Sequence, residues 1–265
     1  MPIELSVLRH GRSEGNAANA RSRAGDHSAF TAAFKDRHSS LWRLTDRGRA
    51  EATTAGKWLR SHGMTFDRHL VSTYVRAMET AVRLELPDAQ WRPEYYLRER
   101  DWGQLDVMSV EERMARFAEE MARRERDGFY WAPPGGESMA QFSLRIDRVL
   151  DTLHRECSNQ RVLIVCHGEV MWALRIRLER MSQRRFMELD QSKDPKDHIH
   201  NCQVIQYSRR DPTTGVVCAR YEWMRSVCPW DLTRSRNEWE RIVRPTFSND
   251  DLAAEVEAVP RLIAE

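Results

Sequence analysis

The sequence contains no apolar run long enough to cross a membrane. Its longest stretch of aliphatic residues and cysteine covers residues 162–166, whereas a transmembrane helix needs about 20 apolar residues. The first residues include the acidic Glu4 and no basic stretch, which predicts that they are not a signal peptide. We therefore expect no membrane partner.

Neither sign of charge dominates the chain. The 42 Lys and Arg residues face 40 Asp and Glu residues, so the formal net charge is only +2. Bulk charge therefore gives no support to nucleic-acid binding, although it does not exclude a local basic pocket. We expect no nucleic-acid partner.

Paired cysteines and cofactor fingerprints are also lacking. The five cysteines are an odd number without a C-x-x-C motif, a pattern typical of reduced thiols in a cytoplasmic protein. The glycine-rich fingerprints of nucleotide cofactors do not occur. Asp197, His198 and His200 lie close together in the sequence, but no ligand set at a familiar metal spacing accompanies them. We expect neither a cofactor nor a metal.

The chain does contain an alternation of strand and helix patterns. Its 265 residues are 41% hydrophobic, which is enough for a sizeable core. Short apolar runs predict strands at residues 3–8, 67–72 and 161–166, with an edge strand near 90–91. Apolar residues at helical spacing predict helices at 45–62, 75–84, 111–126, 138–153 and 169–179. This alternation favours an α/β fold, namely a three-layer α/β/α sandwich with a mainly parallel central sheet.

The chain divides into a main domain and a C-terminal extension. Residues 1–210 are predicted to form the main domain, with insertions at about 17–43 and 104–134. Residues 211–265 are predicted to pack on the same domain as an extension. The two insertions are the expected lids that determine specificity, because substrate choice tends to depend on loops.

Three local predictions concern the less regular parts of the chain. The polar segment 16–43 has no sustained periodicity, which predicts a long loop with one short helix around 29–35. Residues 203–207 and 216–223 are expected to pair as a late hairpin. Ser248 is expected to cap a final helix.

Two His-Gly pairs follow two of the predicted strands. His10-Gly11 comes after the first strand, and His167-Gly168 comes after the most apolar one. Either pair alone also fits a structural histidine beside a turn. Because ligands bind beyond the carboxyl ends of parallel strands, the two imidazoles are expected to face each other across one pocket.

Two further segments carry charged side chains next to predicted strands. Arg76 lies in the first turn of a helix that follows a strand. The segment 97–103 places acidic and basic residues in a short loop that ends in Trp-Gly. These segments add candidate phosphate-binding and proton-transferring groups to the two histidines.

Together these motifs resemble the histidine phosphatase superfamily, also called phosphoglycerate mutase-like. The resemblance spans residues 3 to about 207 and implies that residues 1–210 are the catalytic domain. The run from DWGQLD to FYWAPPGGES is more similar to the broad-range acid phosphatases than to the mutases. In chain order the matching motifs are RHGRSEGN, LTDRG, STYVRAMETA, LRERDWG, PGGES and VLIVCHGE.

The resemblance implies a catalytic role for five residues. His10 would attack phosphorus through a neutral ring nitrogen and become a phosphohistidine. Arg9 and Arg76 would bind the phosphoryl oxygens, and a protonated His167 would be a further donor. Glu99 would protonate the leaving oxygen and then activate water. Asp101 is the rival acid, but Glu99 occupies the family's Leu-x-Glu position.

The resemblance also implies a set of substrate-binding residues. Asn16 would donate a side-chain hydrogen bond to the phosphate, with weaker help from Ser13 and from main-chain amides. Arg12 stands where the family commonly has Glu, so its charge would favour an anionic substrate or pair with Glu14. The expected substrate-binding residues are Asn16, Ser13, Arg12, Gly168 and Arg21.

The function implied by the resemblance is hydrolysis of a small phosphorylated substrate through a phosphohistidine on His10. One alternative is a phosphoglycerate mutase, which shares the chemistry but must exclude water from its intermediate. Another is a non-catalytic regulatory protein that binds a phospholigand. The C-terminal extension contains Trp230 and Trp239, which leaves room for binding of a partner or for self-association as a homodimer.

Overall fold

A computed structural model describes residues 1–263 of the protein. The strands are β1 (Glu4–Arg9), β2 (Arg68–Ser72), β3 (Trp91–Glu94), β4 (Arg161–Cys166), β5 (Val204–Ser208), β6 (Trp223–Val227) and β7 (Glu240–Arg241). The helices are α1 (Glu14–Arg23), α2 (Ala32–Asp36), α3 (Asp46–Ser61), α4 (Val75–Arg83), α5 (Val110–Asp127), α6 (Met139–Glu156), α7 (Gly168–Glu179), α8 (Gln183–Asp190) and α9 (Asn249–Glu257). In the described part of the chain, none of these helices has the length and apolarity needed to span a membrane.

The sheet has the order β3-β2-β4-β1-β5-β6-β7 and is parallel in its core. β1 pairs in parallel with β4, and β2 pairs in parallel with both β4 and β3. β5, β6 and β7 add antiparallel strands at the other edge. The predicted α/β fold with a mainly parallel core is therefore confirmed.

Helices cover both faces of the sheet. On one face, buried side chains of α6 and α7 pack on the sheet through residues such as Phe142, Ile146 and Leu174. On the other face, α3 and α4 contribute smaller residues, among them Ala55 and Ala77. A strand that is buried on both faces has a continuous run of apolar residues in its sequence. This explains why the residues of β4 form the most apolar strand pattern in the chain.

The prediction of a long loop at 16–43 is wrong in its first part, where α1 forms. Ser13 accepts a hydrogen bond from the Asn16 N–H, and the Asn16 side chain accepts one from the Ser13 N–H, so the two residues form a capping box. The buried residues of α1 are Gly15, Ala18 and Ser22. Because these residues are small or polar, the helix has no apolar stripe for periodicity to detect.

The second strand of the predicted hairpin is also misplaced. β6 occupies residues 223–227 rather than 216–223, with Ser208 opposite Trp223 and Val204 opposite Val227. The side chains of Val216 and Val217 are exposed instead. These two adjacent valines lie in a loop, and their apolar pattern led to the wrong prediction that the strand begins at residue 216.

The residues after 210 add to the same sheet and core. β6 pairs with β5, and the buried Tyr221 and Ile242 belong to the apolar cluster that also contains the α6 residues. Ser248 caps α9 through a hydrogen bond from the Asp251 N–H, as predicted. β6 and β7 therefore continue the sheet beyond β5, and the division into a main domain and an extension stays a prediction.

The loop after β1 is held by the N-terminal end of α3. Thr45 Oγ1 donates to the Arg12 carbonyl at 3.0 Å, and the Arg12 N–H donates to Glu51 at 3.0 Å. Gly48 lies so close that a Cβ atom there would be 2.1 Å from the Arg12 carbonyl oxygen. The motif LTDRG therefore fixes the main chain that follows His10.

Replacing Gly48 with alanine is expected to destabilise the protein. The new methyl group must displace the main chain of residue 12, and overpacking of this kind costs about 1–3 kcal/mol. Chemical denaturation measures the free energy of unfolding. Thr54→Ala, at an exposed position of the same helix, is the control and should stay within about 0.5 kcal/mol of wild type. Equal stability of Gly48→Ala and wild type would contradict this packing.

Candidate active site

The two His-Gly pairs meet at one edge of the sheet. Arg9, at the end of β1, lies opposite Cys166, at the end of β4, in a parallel register. The next residues are therefore neighbours, and the imidazole centroids of His10 and His167 are 5.1 Å apart. The structure thus brings the two histidines together as the sequence pattern predicts.

Hydrogen bonds define the protonation of His10. Its Nδ1 lies 2.7 Å from the Gly11 carbonyl oxygen, which can only accept, so Nδ1 carries the proton. The Nε2 lone pair accepts a hydrogen bond from Arg76 Nε at 3.0 Å. Burial, followed by the charges of Arg76 and Arg9, lowers the pKa of His10 well below its ordinary value of 6.5. The ring is therefore neutral at pH 7, and its one lone pair, on Nε2, points towards Arg76.

His167 is held by a serine at the end of β2. Its Nε2 lies 2.7 Å from Ser72 Oγ, while its buried Nδ1 has no hydrogen-bond partner among residues 1–263. Burial lowers the pKa of His167 well below 6.5, and the charges of Arg76 and Arg9 add to this effect. The expectation of a protonated His167 is therefore wrong for the pocket as the structure shows it. A bound anion would favour the protonated form.

Two arginines place buried positive charge beside the histidines. Arg76, in the first turn of α4, also donates to the Ser39 carbonyl at 2.8 Å. Arg9 donates through one terminal nitrogen to the Ile199 carbonyl, and its buried Nε has no partner in the described chain. Within residues 1–263, neither guanidinium has a carboxylate within ion-pair distance, and Glu99 is the main negative charge that acts on both. Two buried positive charges with so little negative charge beside them favour the binding of an anion.

Glu99 brings a carboxyl group to the histidines. Its carboxylate, a ring nitrogen of His10 and one of His167 all lie within 4.8 Å of one another. Burial, and then the nearby charge of Glu169, raise the pKa of Glu99 to about 7. A carboxyl group with this pKa can both donate and accept a proton near neutrality.

Asp101, the rival acid, has a different environment. It is exposed, and its Oδ1 accepts a hydrogen bond from the Gly103 N–H at 2.7 Å. Its carboxylate therefore stabilises a turn, whereas the carboxylate of Glu99 lies next to both histidines.

Asn16 is oriented by a second asparagine. Its Oδ1 accepts hydrogen bonds from the Ser13 N–H and from Asn201 Nδ2, at 3.2 and 3.1 Å. The Asn201 amide also donates to the His10 carbonyl at 2.9 Å. Because the Asn16 oxygen is occupied, its NH₂ group is the part available to an incoming oxyanion.

Of the other expected substrate-binding residues, some lie at the pocket and one lies away from it. Gly168 lies against Arg9, since a Cβ there would be 3.3 Å from Arg9 Nε. The Ser13 hydroxyl caps α1, and Arg12 is half-buried beside it. Arg21 does not join the pocket: its guanidinium binds Asp26 and Ser28 at the exposed end of α1. The unpredicted helix turns this side chain away from His10.

Three residues of the pocket were not assigned from the sequence. Ser72 and Tyr74 belong to the motif that indicated Arg76, and the Tyr74 ring centroid is 5.1 Å from that of His167. Glu169 follows the second His-Gly pair directly. All three lie within the motifs STYVRAMETA and VLIVCHGE, and this position could have identified them as residues of the pocket.

The cluster of His10, Glu99 and His167 is not assigned to a metal ion. Its ligand atoms lie close enough together for one. However, Arg76 donates to His10 Nε2, and Arg9 lies on the same side of the sheet edge. Two guanidinium groups repel a cation, so the chemistry of this cluster suits an oxyanion.

Comparison with known proteins identifies the family. The family description "Histidine phosphatase superfamily (branch 1)" matches residues 5–210. The chain therefore belongs to the histidine phosphatase superfamily, whose members include enzymes that act on phosphate esters.

Two curated relatives are named as mutases. A 2,3-bisphosphoglycerate-dependent phosphoglycerate mutase of Methylobacterium radiotolerans is 34% identical over 194 residues, which cover 70% of this chain and 83% of the relative. The mutase of the same name from Parvibaculum lavamentivorans is 31% identical over 202 residues, 72% of this chain and 86% of the relative. The expected likeness to the broad-range acid phosphatases stays a prediction.

Solved structures share the fold. The alpha-ribazole phosphatase from Shigella flexneri superimposes with a TM-score of 0.62 at 21% identity, covering 83% of this chain and 95% of that one. A mycobacterial glucosyl-3-phosphoglycerate phosphatase in complex with inorganic phosphate superimposes with a TM-score of 0.59 at 22% identity. The match covers 77% of this chain and 89% of that one. At these identities the similarity establishes the α/β/α fold alone.

Proposed function

We propose that the protein is a phosphomonoesterase that hydrolyses a small phosphorylated substrate through a phosphohistidine on His10. The observation that carries this proposal is the neutral His10, whose Nε2 accepts a hydrogen bond from the buried guanidinium of Arg76 at 3.0 Å. A nucleophile next to an oxyanion site is the arrangement that phosphoryl transfer requires.

In the first step, Arg9, Arg76 and the Asn16 NH₂ group hold the phosphoryl oxygens. His167 adds a donor through Nδ1 when the Ser72 hydroxyl donates to its Nε2. The His10 lone pair forms an N–P bond as the P–O ester bond breaks. The ester oxygen takes the proton of Glu99 and leaves as an alcohol.

In the second step, water hydrolyses the phosphohistidine. Glu99, now ionised, removes a proton from the water as its oxygen forms a bond to phosphorus. The N–P bond breaks, its electron pair returns to His10, and inorganic phosphate is released. Electrostatic stabilisation by the two arginines is expected to carry much of the rate enhancement.

The names of the relatives favour a second candidate, a phosphoglycerate mutase. A mutase would form the same intermediate but transfer its phosphoryl group to a phosphoglycerate rather than to water. The third alternative, a non-catalytic phospholigand-binding protein, is disfavoured because nucleophile, acid and oxyanion-binding groups are all present together. A homodimer and a cytoplasmic location remain predictions.

A substrate panel tests the proposed function. It compares an aryl phosphate, sugar phosphates, phosphoglycerates, nucleotides and phosphopeptides by release of inorganic phosphate. We expect hydrolysis of the aryl phosphate and of at least one small metabolite. Interconversion of phosphoglycerates without phosphate release would favour the mutase. Phosphate binding without turnover of any substrate would contradict both enzymatic candidates.

A further inference from the structure

A second cavity lies on the face of the sheet that α7 and α8 cover. Its volume is about 370 Å³, which lies within the range of pockets that bind small molecules. β5 and β6 form its floor, α7 and α8 form one wall, and residues 196–199 and 236–245 form the others. The space therefore suits a small organic ligand.

Hydrogen bonds fix the wall that residues 236–245 form. β7, in the middle of this wall, pairs with β6. Before β7, the Asn237 N–H donates to the Ser226 carbonyl at 3.0 Å. After β7, Arg244 Nε donates to the Leu178 carbonyl of α7 at 3.1 Å. The wall is attached to the sheet and to a helix, so the cavity is a built feature of the fold.

Residues 199–203 separate this cavity from the catalytic pocket. Ile199 and Gln203 line the cavity. The Ile199 carbonyl accepts a hydrogen bond from the Arg9 guanidinium, and the Gln203 carbonyl accepts one from the Arg9 N–H. Among the described residues that line the cavity, none is assigned to catalysis. The cavity therefore lies behind the catalytic pocket as a separate space.

The inner surface of the cavity is apolar. An apolar group placed there would be removed from water, which is favourable. The side chains are the buried Leu189, Ile199, Ile205 and Ile242, together with the partly buried Met181 and Met224.

The charged residues around the cavity include one more positive than negative side chain. Arg175 pairs with Glu179, and Arg236 pairs with Asp197, both at 3.0 Å. The exposed Lys196 forms no side-chain hydrogen bond or ion pair with any residue in the range 1–263. The positive residues are Arg175, Arg185, Lys196, Arg236 and Arg241, and the negative ones are Glu179, Asp197, Glu238 and Glu240. Arg225 also borders the cavity, but its guanidinium lies over the rings of Trp58 and Trp239.

We propose that this cavity is a second binding site, which takes a small carboxylate with an apolar body. The apolar body packs against the isoleucines and methionines of the inner surface. The carboxylate group lies at the rim beside Lys196, because this cation has no other partner and opposite charges attract across a binding surface. The volume accommodates a chain of several carbons.

NMR of the isoleucine methyl groups tests the proposal with octanoate as the probe. The methyl signals of Ile199, Ile205 and Ile242, assigned through Ile→Val variants, should shift on titration with millimolar octanoate. The signal of Ile146, buried under α6, is the control and should not move. The shifts should persist in saturating inorganic phosphate. Unmoved signals, or shifts that phosphate abolishes because octanoate occupies the catalytic pocket, would overturn the proposal.

Related probes test the class of ligand. Acetate lacks the apolar body, and octanol lacks the charge, so both should bind more weakly than octanoate. Octylamine tests the opposite charge, since Glu238 is the one acidic residue of the rim without an ion pair in the described chain. Tighter binding of octylamine than of octanoate would contradict the assignment to a carboxylate.

Two lysines of one loop provide a matched pair of variants. Lys196→Glu should weaken octanoate binding, measured by calorimetry, by about threefold to tenfold. Lys193→Glu makes the same change of charge at an exposed position that does not line the cavity. Because solvent and salt screen this more remote charge, its affinity should stay within about twofold of wild type. Equal effects of the two variants would contradict the placement of the carboxylate beside Lys196.

Discussion

Replacement of His10 by alanine is expected to lower the rate of phosphate-ester hydrolysis by a factor on the order of 10⁴ or more. The variant lacks the ring nitrogen that forms the N–P bond, and water cannot occupy the position of Nε2 beside Arg76 with the same nucleophilicity. Initial rates with an aryl phosphate measure the effect.

His62→Ala provides the matched control for this experiment. His62 is an exposed histidine at the end of α3, so its loss should leave the rate within about twofold of wild type. Thermal melts establish that both variants are folded. Hydrolysis by His10→Ala at a rate within tenfold of wild type would exclude His10 as the nucleophile.

The second large effect is expected for Glu99→Gln. Glutamine cannot donate the proton that the departing oxygen needs, and general acid catalysis contributes about 10²–10⁴-fold. The loss should be largest for alkyl phosphates and smaller for a nitrophenyl phosphate, whose leaving group departs without a proton. Parallel rates with the two kinds of substrate measure this difference.

The pKa of Glu99 also predicts the direction in which the activity changes with pH. The pKa of Glu99 is raised to about 7, and the acid form is the one required for cleavage. The activity of wild type should therefore fall as pH rises through about 7, and this limb should be absent from Glu99→Gln. Asp101→Asn tests the rival acid and should keep the limb. Loss of the limb in Asp101→Asn, but not in Glu99→Gln, would reverse the assignment.

Those elements of the site that lie at the ends of strands could be predicted from the sequence. β1 and β4 are buried on both faces, so their apolar runs and the polar residues that follow are unmistakable in sequence. The rule that ligands bind beyond the carboxyl ends of parallel strands then predicts one pocket for His10 and His167, and the structure adds that β1 and β4 are neighbours. Arg76, in the first turn of α4, and Glu99, in a short loop, were candidates from the sequence, but their catalytic roles needed the family resemblance.

Other features depend on contacts that a single sequence does not reveal. The buried face of α1 consists of small or polar residues, so the sequence pattern does not show the helix, and that helix directs Arg21 away from the pocket. The neutral state of His167 follows from its burial beside Arg76, which is a property of the folded environment. The 3.7 Å contact of Arg100 with Glu169 likewise arises only when distant segments pack together.

Trapping the intermediate tests the central claim most directly. The protein is mixed with a ³²P-labelled phosphomonoester, quenched within one turnover in alkali, and digested for mass spectrometry. Our account predicts an acid-labile, alkali-stable phosphoryl group on the peptide that contains His10, formed more slowly by Glu99→Gln with an alkyl ester. Turnover with no label on that peptide, or with the label on His167, would contradict it.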